Sequence, residues 1–197
     1  RLEGELAPGL LALPVAHARL RVLPLGRDEL VAIVAPEHPW SALRRVQPQD
    51  FSDEPLLIYE RRSQTHRLVE RILLEAGVFP RIGMEMDHLE AVTAMVRDGL
   101  GVAVVPRWAI QAEIDAQQVV ALPIGKTGLS RAWGLGVVEQ DHQPQAVRAF
   151  LRLCSERIPP ILSGGAAVER PPAASDETGA AAASAGAAST ATAADKI

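Results

Sequence analysis

Five histidines, at positions 17, 38, 66, 88 and 142, and one cysteine, Cys154, are the side chains with the widest chemistry in this sequence. Their spacing offers little of it. No histidine stands at metal-ligand distance in sequence from a cysteine or a carboxylate partner, and His38 belongs to an EHPW turn, so no metal site is expected. Cys154 lies in an apolar helical pattern, has no partner for a disulfide, and reads as a buried structural thiol. The sequence contains no G-x-S-x-G, no phosphate-binding G-x-x-x-x-G-K-[ST] and no G-x-G-x-x-G. With no recognisable set of nucleophile, base and orienting group, an enzyme is not indicated and no cofactor is implied.

What remains is the chemistry of helix starts, where unpaired backbone N–H groups and the helix dipole favour an anion. Two strand-to-helix junctions present such starts. One is Met86-Asp87-His88, where Asp87 and Glu90 have capping-box spacing; the other is ERRSQTHR, where Ser63 is placed as an N-cap. A junction of this kind is common in α/β proteins and does not by itself make a site.

The elements around these junctions are well marked. Leu89, Val92 and Val96, widened by Ala91 and Met95, form one face of a helix, with Glu90, Thr93 and Arg97 opposite and Gly99 at its C-terminal cap. Leu68, Val69, Ile72, Leu73 and Ala76 form the face of another, begun at Ser63 and closed by Gly77. Short apolar runs predict strands over 10–13, 19–25, 29–35, 56–59, 81–86, 102–105 and 129–138, with an extended segment over 119–124. Helices are predicted over 106–115, with Pro106 as its first residue, and over 143–157, with Val147, Phe150, Leu151 and Cys154 as the buried stripe. The order of strand, helix, strand, helix indicates an α/β protein.

Composition sets the outer limits. The chain has 197 residues, 48% hydrophobic and 22% charged, enough to bury a sizeable core. No apolar run approaches the roughly 18 residues that span a bilayer, so no membrane partner is expected. A net charge of −4 without a basic stripe disfavours direct nucleic-acid binding by this chain. From about residue 161 the sequence turns to Ala, Gly, Ser and Thr, which lack the large apolar groups that offset chain entropy; residues 161–197 read as a disordered tail. The first residues lack the charged, apolar and small-residue order of a secretion signal, and the chain reads as cut from a longer protein.

The succession LLALP, LPLGRDELVAIVAPEHPW, LLIYERRSQTHRLVERILLEAGVFP, MEMDHLEAVTAMVRDGLGVAVVPRWAI, LPI and LSRAWGLGVV resembles the effector-binding domain of LysR-type transcriptional regulators, over essentially residues 2–158. It is closest to the branch with E-x-G-S-x-T-R and M-E-x-x-x-x-E-A-I patterns, the style of regulators of sulfur, nitrogen and carbon-fixation genes. The resemblance implies two Rossmann-like α/β lobes of the type 2 periplasmic-binding-protein fold, with a small effector between them. Residues 1–36 and 121–160 would form the first lobe, truncated at its N-terminus, and 37–120 the second. It implies a cytoplasmic protein that self-associates as a dimer or tetramer. Promoter DNA would be met only through a winged helix-turn-helix not in this sequence, with RNA polymerase as a further partner. A transporter's solute-binding protein shares the fold; the residues upstream, a helix-turn-helix or a cleavable signal, distinguish the two.

On this resemblance Ser63 and Thr65 occupy the S-x-T positions that donate hydroxyls to an anionic effector, while the plainer role of Ser63 is to cap its helix. Arg62 replaces the pattern's glycine and His66 its arginine, with Arg67 following at once. Asp87 and His88 replace the small polar residues before the second helix. Asp87 would repel an anion unless Arg61, Arg62 or His66 compensates, and as an N-cap it needs no ligand. The candidate effector-binding set is therefore Ser63, Thr65, Arg62, His66, Asp87 and His88. Peroxide-sensing members carry a reactive cysteine near this helix start, where the chain has Ser63 and Thr65, so that activity is excluded. Pro8 has no N–H for a central strand, so either the first strand starts after it or the cleft wall is altered.

Overall fold

One strand, β2 (Leu20–Val34), is the spine of the molecule. Its first part pairs antiparallel with β7 (Leu129–Val138), and its last residues pair with β5 (Val102–Pro106) and β6 (Val120–Pro123). Beyond β7 lies β1 (Gly9–Leu13), antiparallel to it, and beyond β5 come β3 (Pro55–Tyr59) and β4 (Arg81–Met86), both parallel. The sheet runs β1-β7-β2-β5-β3-β4, with β6 also on β2. The computed structural model describes residues 8–15, 20–138 and 144–163, and for Val138 only the backbone. The tail beyond Ser163 expected from composition lies outside the described residues.

Alternation along β2, β3 and β5 assigns a helix to each face. Leu30, Ala32, Leu56, Ile58, Val102 and Val104 point to α1 (Gln64–Glu75), which buries Val69 and Leu73 against them. Val31, Ile33, Leu57, Ala103 and Val105 point to α2 (Leu89–Arg97), which buries Val92 and Val96. Strands covered on both sides read as continuous apolar runs, and these do. At the other end, Leu25 and Leu135 pack with Cys154 and Leu162 of α4 (Gln145–Leu162).

Several boundaries differ from expectation. The strands expected over 19–25 and 29–35 are one strand, because β7 is long enough to pair along both. The join carries a β-bulge between Pro24 and Gly26, with Gly26 at φ 153°. A bulge changes which residues share a face: before it Leu23 faces with Leu135, after it Asp28 lies opposite Arg131 and Leu30 opposite Leu129. The helix expected from Pro106 begins later. Pro106 closes β5, a 3-10 turn covers Arg107–Ile110, and α3 is only Gln111–Asp115. The last helix continues past Arg157 through Pro159 and Pro160 to Leu162, so Ile161 and Leu162 belong to α4 and not to the tail. Phe150, expected in its buried stripe, is 42% exposed. Other expectations hold: β1 starts at Gly9, directly after Pro8, and Gly77 and Gly99 stand in the left-handed region, each at φ 76°. His38 accepts from Trp40 N through Nδ1 at 3.1 Å and caps the EHPW turn.

Candidate functional site at the start of α1

The chain leaves β3, crosses the sheet through α1 to β4, and returns through α2 to β5 on the other side of β3. The crevice outside the carboxyl ends of β3 and β5 is therefore a topological switch point, where open α/β sheets bind ligands. Into it comes the first turn of α1. Ser63 is its N-cap, in extended conformation, and its Oγ accepts from His66 N at 3.1 Å. Thr65 lies within the first turn and is buried, which makes its hydroxyl a polar group in need of a partner.

That partner is Arg131. Its Nη1 donates to Thr65 Oγ1 at 2.5 Å, while Nε and Nη2 donate to the two carboxylate oxygens of Asp28 at 3.2 and 2.5 Å. Asp28, 1% exposed, also accepts from Trp108 Nε1 at 3.2 Å. The guanidinium stacks 4.4 Å above Trp133. A buried charge is tolerated only when it is paired and hydrogen-bonded, and this fork-to-carboxylate pair meets both conditions. The network ties β2, β7, the turn after β5 and α1 at one point.

Beside it lies a cavity of about 430 Å³ between the end of β1, β7 and one face of α1. Arg27, Arg67, Arg71 and Arg131 line it, with Gln64 and Ser130, and among the described residues no carboxylate does. Arg27 donates to Ser130 Oγ at 2.7 and 3.1 Å. A second cavity, of about 20 Å³, lies beneath the first turn of α1 among Tyr59, Thr65, His66, Val69 and Val104, with room for about one water.

The six candidate residues are thus divided. Ser63, Thr65 and His66 share the first turn of α1, Ser63 as a cap, Thr65 in the network and His66 half-buried at the small cavity. Arg62 is exposed, and Arg61 is drawn to Glu85 on β4 at 3.0 Å. Asp87 and His88 are exposed in the loop between β4 and α2. The N-cap of α2 is His88, not Asp87, and the His88 side chain makes no capping bond. Among the described residues no hydrogen bond or ion pair ties Asp87 or His88 to the start of α1.

Sequence reasoning missed Asp28, Arg131, Trp108, Arg27 and Arg71. One signal was present: Arg131 has the same parity as Leu129, Trp133 and Leu135 on β7, so an inward arginine demanded an inward acid. The acid was hidden by the bulge, which moves Asp28 onto that face.

A family model described as LysR substrate binding domain matches residues 2–159. The chain belongs to the LysR substrate-binding domain family. Its relatives include the RuBisCO operon transcriptional regulator of Allochromatium vinosum, 30% identical over 126 residues covering 64% of this chain and 42% of that protein. MetR of Escherichia coli K12 is 27% identical over 150 residues, covering 76% of this chain and 47% of that one. The chain thus spans less than half the length of these relatives. Among solved structures, the regulatory domain of Neisseria meningitidis MetR matches at TM-score 0.70 and 22% identity, covering 83% of this chain and 76% of that chain. The Synechocystis CcmR regulatory domain in complex with 2-PG matches at TM-score 0.68 and 20% identity, covering 78% and 73%. The fold of this LysR substrate-binding domain is the type 2 periplasmic-binding-protein fold, and the α/β expectation holds.

Proposed function

We propose that this domain senses a small anionic effector for a LysR-type transcriptional regulator, binding it at the start of α1 and the adjoining cavity, and has no catalytic role. The observation that carries the reading is the Asp28–Arg131–Thr65 network, a buried polar node at the switch point with a cavity of ligand size beside it. A hydroxyl that accepts from one partner can still donate to another, so Thr65 can serve both Arg131 and an effector. Regulators among the relatives favour this reading over a transporter's solute-binding protein.

In the whole protein, a separate helix-turn-helix domain holds promoter DNA, the subunits associate as a dimer or tetramer, and the assembly works in the cytoplasm with RNA polymerase. Residues 1–36 with 121–160 act as one lobe and 37–120 as the other, joined through β2 and β6, the strands at the two crossings. An effector that contacts both lobes better in one arrangement shifts the balance toward it, and the shift reaches the DNA-binding heads.

The test is a thermal-shift screen of small anions followed by titration of wild type, Thr65→Ala and Thr65→Ser with the compound found. Loss of the hydroxyl removes a charge-assisted hydrogen bond worth roughly 1.5–3 kcal/mol, about ten- to hundredfold in affinity, and serine restores it. Equal affinities across the three proteins would place the effector away from α1.

A further inference from the structure

We infer that the cavity beside α1 is built for a small organic dianion, gripped by Arg67 and Arg71, a ligand class that rests on the effector reading above and narrows it. Its four arginines do not contribute equally. Arg131 is neutralised inside the fold by Asp28, whereas among the described residues the Arg27 side chain meets only the uncharged Ser130 hydroxyl. The guanidinium groups of Arg67 and Arg71 form no hydrogen bond or ion pair among the described residues. Three positive charges therefore face a cavity with no carboxylate in its wall among the described residues.

Position makes the pair purposeful. Arg67 and Arg71 stand four residues apart on one helix, so they are neighbours on its surface and repel each other. An isolated carboxylate satisfies one guanidinium fork, and two acidic oxygens groups or one phosphate satisfy two. The rest of the wall, Ala12, Leu13, Pro14, Leu68 and Ala132, is apolar and suits a short carbon skeleton. A dianion placed here also lies against the face of α1 that carries Gln64, one residue from Thr65, so it is read by the same helix that anchors the buried network.

The experiment compares succinate with butyrate and glycerol 3-phosphate with glycerol, by calorimetric titration of the full chain at millimolar ligand. At least one dianion should bind ten or more times tighter than its partner, with affinity falling as salt is raised. Arg67→Gln and Arg71→Gln should each weaken it about tenfold and the double variant abolish it. Arg71→Lys, which keeps the charge and loses the fork, should fall between. Circular dichroism and melting of the double variant check that α1 is intact, since removing a like-charge pair should not destabilise it. If phosphate binds and succinate does not, or the reverse, the dianion proposal stands with its head group identified. Equal binding of charged and less charged partners, binding indifferent to Arg67 and Arg71, or no binding of any of the four overturns it. The Thr65 titration with the screened compound then decides the effector reading separately: dependence on Thr65 without dependence on the arginines removes only this inference.

Discussion

Arg131 commits its Nε, Nη1 and Nη2 to Asp28 and Thr65, so replacing it strands a carboxylate that water does not reach. Arg131→Met should destabilise the domain by about 3–5 kcal/mol, the cost of an unpartnered buried charge. The double variant Asp28→Leu with Arg131→Met should be clearly more stable than the single, because neither charge remains. Urea unfolding of the three proteins measures this, and a double variant no better than Arg131→Met would mean that stacking on Trp133 outweighs the ion pair. These residues also mark what was legible in the sequence. Ser63 announced itself through residue type and position, and its Oγ does cap α1. Thr65 was reached only through the family pattern. Asp28 was not reached at all, since LGRDEL looks like a solvated turn until the strand bulges within it.

At the scale of elements, the period-3.6 patterns located α1 and α2 to within a residue or two because each helix is covered on one face only. Thr93 is the exception: expected opposite the apolar face, it is buried and donates to Leu89 O at 2.9 Å, its hydroxyl satisfied within its own helix. Strand ends were less legible, for what ends or joins a strand is the length of its partner, as β7 does for β2. Two substitutions separate local from tertiary contributions. Ser63→Ala should cost about 1 kcal/mol by removing the cap of α1, and Ser63→Asp should recover most of it, as read by thermal melting. Gly101→Ala should cost more, about 1–3 kcal/mol, because Gly101 sits at φ 157° and an added Cβ would collide with the Pro55 carbonyl oxygen on the neighbouring strand. Equal losses from Gly101→Ala and Ser63→Ala would show that β3 and β5 can separate at that point at little expense.

For the molecule as a whole, charge is the first constraint. At −4 overall, this chain alone should give no sequence-selective, salt-sensitive shift of duplex DNA, and a gel-shift assay that found one would place DNA recognition within it. The second is the length of β2. Its fifteen residues pair at one end with β7 and at the other with β5 and β6, so the α4 core and the two cores around α1 and α2 share a single strand. Neither end can leave the sheet without loosening the strand on which the other end is paired. In native-state hydrogen exchange, the amides of Val31 to Ile33 and of their partners on β5 should therefore exchange only through global unfolding, with one common free energy, while the exposed edge strand β4 exchanges through smaller openings.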